Sequence, residues 1–232
     1  MYNRKSNMSR DANDLDFIRQ PPCLNQYQNE TQRIESFSAC FMERYYFCPV
    51  FYMGSLQDAC QEAFSSTIIA ERRPVLVYIH NDRNVFSNIF CSKIFCSEII
   101  IDYLLNNYIV WPWDVTDESN RNKLQEIWTK LFPTTPFEGY SIGEYPMLIG
   151  IAQQSPGKNK WLPLSEHEFR TVLECDTLIR TGEKLSKEKL LQELIIFKEE
   201  CDDSEKNLHI VPETMSHPNP LLLQTAGWAS FL

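Results

Sequence analysis

A chain of 232 residues, 43% hydrophobic and 23% charged, can bury about 70% of the surface its unfolded form exposes, which excludes wholesale disorder and any need for metal or disulfide staples. Its net charge of −9 comes with no basic run, which argues against a nucleic-acid-binding domain, because neutralising phosphates takes clustered Lys and Arg. No apolar run approaches the ~20 residues of a membrane helix, and the opening MYNRKSNMSR lacks an apolar signal core, so the expectation is a protein of the cytoplasm or nucleus with no membrane span.

Residues 1–40 are assigned to a flexible N-terminal segment, although Phe37, Phe41, Tyr45, Tyr46 and Phe47 offer apolar surface that would order part of 31–50. Ser55 is an N-cap with Asp58 in the capping-box slot. Leu56, Ala59, Cys60, Ala63 and Phe64 follow at helical spacing, which predicts a helix to about Glu71. VLVYIH (Val75–His80) is a short, β-branched, apolar run and reads as a buried strand. After a turn at Asn81-Asp82, one helix is expected within Ser92–Asn106, with Ile94, Phe95, Ile99, Tyr103 and Leu104 inward. YIVWPWDV (Tyr108–Val115) is the second strand, and Thr116 or Asp117 caps a helix from Glu118 to about Phe132.

Residues 133–144 read as a loop, and YPMLIGIA (Tyr145–Ala152) as a third strand opening on a proline. QQSPGKNK is a turn leading to an antiparallel partner, WLPL (Trp161–Leu164). Ser165 with Glu168 marks a capping box for a helix to about Ile179, and Leu185 to about Glu200 has an amphipathic helical pattern. The domain is thus set at 41–182, followed by a charged amphipathic helix over 183–202 and a flexible tail over 203–232. Parallel crossovers, then a hairpin and a packing helix, describe a thioredoxin-like α/β fold with a central sheet flanked by helices. That fold makes Pro146 the candidate for a structural cis-proline.

The chemistry-bearing residues have bland readings beside sharper ones. Eight cysteines in a chain without a signal core are expected as free thiols. Neither a CxxC pair nor a Cys/His set with zinc spacing is present, so no metal or cofactor is expected. Cys91 and Cys96 fall where a thioredoxin places its redox pair. Their spacing turns about 140° of α-helix, which separates the sulfurs, and core packing is the favoured reading over redox chemistry. His80 reads as a hydrogen-bonded strand end, and Asp114 and Asp117 as turn and cap residues. Trp111 and Trp113 share one strand face, as core or as an aromatic wall for an acyl chain. The helix from Leu185 either packs on the domain or forms a partner-binding stub.

Two segments carry a resemblance: PVFYMGSLQDACQEAF (Pro49–Phe64) and, more sharply, NIFCSKIFCSEIIIDYLLNNYIVWPWDVTDESNR (Asn88–Arg121). FC-x4-C, then WPWD, then SNR resembles the UAS domain of the Fas-associated factor 1 family of UBX-domain proteins, over about Phe41–Leu194. The resemblance implies a thioredoxin-like fold without oxidoreductase activity, in an adaptor of ubiquitin-dependent protein degradation. It also implies binding of long-chain unsaturated fatty acids with ligand-triggered self-association, and ubiquitin-pathway protein partners. The valosin-containing AAA ATPase is a partner only where the parent carries a UBX domain, and no UBX pattern is recognised after residue 200. Arg72, Arg73, Arg83 and Lys93 are the cations nearest the first strand, although no motif makes them a carboxylate site. The competing class is a thiol redox protein using Cys91 or Cys96.

Overall fold

The computed structural model describes residues 29–68, 71–133, 145–153, 167–174 and 185–209. The expectations for residues 1–28, for most of the 133–144 loop, for the QQSPGKNK turn with its WLPL partner, and for residues after 209 lie outside these.

Four strands form one sheet in the order β2-β1-β3-β4: β1 (Val75–His80), β2 (Ile109–Asp114), β3 (Met147–Gln153) and β4 (His167–Glu174). β1 and β2 are parallel, while β3 is antiparallel to both β1 and β4. Every residue of β1 is buried, as expected for a central strand covered on both faces. Helices lie on each side, so the core has two halves. One holds Val77, Trp111, Trp113 and Ile149 beneath α2 (Leu56–Ser65) and α5 (Glu118–Leu131). The other holds Leu76, Tyr78, Val110 and Leu148 beneath α3 (Val85–Phe90), a π-helical turn (Cys91–Phe95), α4 (Glu98–Asn107) and α6 (Lys187–His209). This βαβ unit followed by an antiparallel pair and a covering helix is the thioredoxin-like arrangement, and the Tyr145–Pro146 bond is cis.

α1 (Glu30–Tyr45) starts from an Asn29 cap whose side chain accepts from the Gln32 amide at 2.9 Å. Ile34, Ser38 and Phe41 are buried on one face, so the helix crosses the expected domain start at residue 41. Ile34 packs in one core half and Phe41 in the other, which lays α1 along the β2 edge. Phe51 bridges Val110, and the Tyr52 amide donates to the Val110 carbonyl at 2.8 Å. The edge that tolerates Pro112 is therefore blunted.

Several expectations need correction. α2 carries the Ser55–Asp58 capping box but ends at Ser65 rather than Glu71, where Ser66 turns extended. The helix expected within Ser92–Asn106 is α4 (Glu98–Asn107), but it is preceded by α3 and the π-helical turn, which the sequence reading did not separate from it. That break rotates Ile99 outward and Ile100 inward. The helix expected from Ser165 is overturned across His167–Glu174, which is strand β4. This segment pairs with β3 from Met147 opposite Glu174 to Gln153 opposite His167, with a bulge at Leu148/Ile149. Pairing of that kind overrides a local capping signal. α6 runs on to His209, past the expected end at 202, and packs on the domain through Leu190, Leu194 and Phe197. It is not a free stub. Cys40 is disulfide-bonded, against the expectation of free thiols throughout.

Candidate functional site

The carboxyl end of β1 gathers most of the titratable chemistry. β1 delivers Tyr78 and His80, two residues apart, to the same buried face of the sheet, and the chain then bends through Asn81 into α3. Asn84 caps that helix by accepting from the Phe86 amide at 2.8 Å, and its Nδ2 donates to the Tyr145 carbonyl at 2.7 Å. The π-helical turn then brings Cys91 back against Tyr78.

The result is a linear chain of polar atoms. Cys91 Sγ lies 2.9 Å from the Tyr78 hydroxyl, which lies 2.7 Å from His80 Nδ1. His80 Nε2 is 3.4 Å from Asp82 Oδ1. Arg44, from α1, donates to Asp82 through both terminal nitrogens, one of them to Oδ2 at 3.2 Å. The neighbouring Tyr45 hydroxyl donates to Asn88 of α3 at 2.6 Å. The Asp82 amide donates to Thr116 Oγ1 at 2.8 Å, tying in the β2–α5 turn.

Burial alone would lower the His80 pKa, but the hydrogen bond to Asp82, with Cys91 and Asp114 nearby, outweighs it and holds the imidazole up at about 9. Burial would raise Asp82, and the hydrogen bonds from His80 and Arg44 instead pull it to about 2. Near neutral pH both imidazole nitrogens are therefore protonated. Nε2–H then donates to Asp82 and Nδ1–H to the Tyr78 oxygen, and the Tyr78 hydroxyl and the Cys91 thiol share the last hydrogen bond of the chain.

This arrangement holds charge but does not expose it. Tyr78, His80 and Cys91 are all buried, so an incoming disulfide meets no sulfur. Cys96 is half-buried, and burial, with Cys91 and Cys48 adding, pushes its thiol upward, away from the thiolate that attacks. The two cysteines do lie on one turn, but a π-helical one, so the α-helical 140° does not apply to them. The Cys96 amide donates to the Cys91 carbonyl at 3.1 Å. We expect no insulin reduction by the purified chain; turnover lost on Cys91→Ser in a folded variant would overturn this reading.

The other sequence candidates scatter. Arg72 donates to Ser66 O at 2.7 Å and to Gln153 at 3.0 Å, and pairs with Glu205 at 3.5 Å. Arg73 donates to the Leu105 carbonyl. Both sit at the amino end of β1, whereas Arg83 and Lys93 are exposed at the carboxyl end. The four cations are not one site. Trp111 and Trp113 stack at 5.1 Å and donate to the Gly54 and Asn120 carbonyls. They are buried in the core half away from Cys91, so they form no open acyl wall. Asp114 accepts from the Thr116 amide and hydroxyl, and Asp117 precedes α5 without a side-chain cap bond. Among the described residues no His/Cys/Asp/Glu cluster suits a metal, and no helix is long and apolar enough to cross a membrane.

Sequence reasoning missed Arg44, Tyr45 and Asn88, which lie on two helices distant in sequence and carry no motif. It also missed a surface cleft of about 340 Å³ lined by Glu30, Gln57, Lys123, Glu126 and Lys130. Lys123 pairs with Glu126 at 2.9 Å, and Lys130 reaches Gln57 at 3.4 Å, so its cations are already engaged.

A family model described as Fas-associated factor 1 matches residues 37–160, a span containing the whole polar chain from Arg44 to Cys91. FAS-associated factor 1 of Homo sapiens is 41% identical over 95 residues, 40% of this chain. UBX domain-containing protein 3 of Caenorhabditis elegans is 34% identical over 101 residues, again 40% of this chain. The matched parts are 14% and 16% of those relatives' own lengths.

Proposed function

Because the chain belongs to the Fas-associated factor 1 family, we propose that it is a non-catalytic adaptor module of ubiquitin-dependent protein degradation, acting in the cytoplasm or nucleus on ubiquitin-pathway proteins. The observation that carries the non-catalytic part is the burial of Cys91 behind Tyr78 and α1 at the one place where a thioredoxin fold does its chemistry. A buried thiol at the end of a donor chain makes that end of the fold a structural joint. The family resemblance supports the adaptor role. Docking of the valosin-containing AAA ATPase belongs to a parent protein that carries a UBX domain.

The same resemblance supports long-chain unsaturated fatty acids as ligands, with ligand-triggered self-association. An acyl chain needs apolar surface and its carboxylate needs a cation. Light scattering of the purified chain titrated with oleate is expected to show growth in size, with stearate as the inert control. Equal responses to both acids, or none with calorimetric binding also absent, would remove the lipid part and leave the adaptor part standing.

A further inference from the structure

The outer side of the Cys91 joint carries a group of exposed apolar side chains. α3 turns Val85, Phe86 and Ile89 to solvent, each about half exposed. Val85 and Ile89 are one helical turn apart and Phe86 flanks them, so the three form one short ridge. The end of α1 is fastened beside α3, since Tyr45 and Arg44 both donate to Asn88. The chain leaves that end through Tyr46, 81% exposed, and Phe47, 74% exposed.

Tyr46 sits at φ 59°, and among the described residues it is the one non-glycine residue with positive φ. A bulky side chain there is strained. Its neighbours impose the conformation: Arg44 and Tyr45 are tied to Asp82 and Asn88 upstream, and Cys48 and Phe51 pack on the core downstream. This turn is the C-cap of α1, and it holds two aromatic rings in solvent beside α3.

Charge decides the kind of partner. From Arg83 to Ser97 the sequence has two cations, Arg83 and Lys93, and no acid, in a chain with 31 acidic residues. Of the carboxylates around it, Asp82 is neutralised by Arg44 and His80, Asp117 lies 3.9 Å from Arg83, which stays 65% exposed, and Glu98 follows the stretch directly. An apolar ridge bracketed by exposed cations in an otherwise acidic protein attracts an apolar segment flanked by Asp and Glu. Backbone form is also decided. β1 is interior, and the β2 edge is occupied by Phe51, so no strand can be added here. A helix laid against the ridge needs no edge.

We propose that the exposed face of α3, with the Tyr46-Phe47 turn, is a docking surface for an acidic amphipathic helix of a partner protein. The inference rests on the adaptor reading and specifies where that adaptor takes hold of protein.

Panning the full chain with a phage library of random 16-residue peptides tests it. The expected result is a consensus of apolar residues at helical spacing flanked by Asp or Glu. Affinity of the selected peptides should fall at least tenfold with Phe86→Ser and with the paired reversal Arg83→Glu/Lys93→Glu, at unchanged melting temperature. The charge reversal, at exposed positions, decides the matter if Phe86→Ser perturbs folding. Basic or charge-neutral consensus peptides, binding indifferent to these changes, or no enrichment each overturn the proposal. Each of these results leaves the adaptor reading in place, because that reading rests on the family match and not on this ridge.

Discussion

Gly150→Val is expected to lower stability by about 3 kcal/mol, or about 10 °C in melting temperature for a chain of this size. Gly150 lies in β3 opposite Leu76 and Arg170. A Cβ added there meets the Phe197 ring at 2.2 Å. Phe197 has no room to yield: it is buried, it stacks on Tyr108 at 6.4 Å, and the Arg170 guanidinium lies 5.2 Å over its ring. The Tyr108 hydroxyl in turn donates to the Leu194 carbonyl at 2.5 Å, so α6 is pinned on both sides of the contact. Valine is otherwise favoured in strands, so a large loss reports the clash and not the backbone. Phe197→Ala should itself cost about 3–5 kcal/mol by opening a cavity. The double variant should cost less than the sum by about 2 kcal/mol, because valine fills part of that space. Additivity within about 0.5 kcal/mol, measured by urea unfolding, would show that this contact does not set how α6 docks.

Asp82→Asn is the second large effect. It leaves the Arg44 guanidinium and the His80 imidazolium without their carboxylate at side-chain exposures of only 16% and 3%, and the expected loss is about 3 kcal/mol. The pH profile separates this from a packing defect. His80 holds its proton more tightly folded than unfolded, so its contribution is fully present below about pH 6.5 and is lost as the pH rises through about 9. The difference between those values corresponds to about 3 kcal/mol. Asp82 is the opposite case: its share is present above its ordinary value of 3.8 and is lost as the pH falls through about 2. Wild type should therefore lose stability between pH 6.5 and 9. Asp82→Asn and His80→Gln should both lack that decline, measured as unfolding midpoint against pH. A decline of the same size in either variant would mean that the His80–Asp82 pair does not titrate as the geometry implies.

Strand β1 and helix α5 were legible in the sequence because their signals are local and agree with the tertiary demand. VLVYIH is a buried strand by composition alone, and Leu124, Ile127 and Trp128 hold one face at helical spacing. β4 was not legible. Ser165 and Glu168 look like a capping box, and only the presence of β3 alongside turns His167–Glu174 into a strand. The break at Cys91–Phe95 was also hidden, since a π-helical turn changes which residues face inward without changing composition. Ile99 and Ile100 are chemically equivalent, and only the phase of the helix decides between them.

The candidate site divides in the same way. Cys91 and Cys96 were visible from position, and the missing CxxC spacing already argued against redox work. Their environment was not visible. Arg44 reaches Asp82 from 38 residues away, and nothing in either neighbourhood announces the other. The family too was readable from sequence, in FC-x4-C, WPWD and SNR, because short motifs survive as local strings. What the sequence by itself determined was the fold class, the family and the strands that repeat local preferences, because those rest on period and composition. What only the tertiary structure decided was the sealing of Cys91, the pairing of His80 with Asp82, the seat of Phe197 on Gly150 and the exposed ridge of α3. Each of these depends on side chains far apart in sequence meeting within a few ångströms, and burial and hydrogen bonding act on that distance alone.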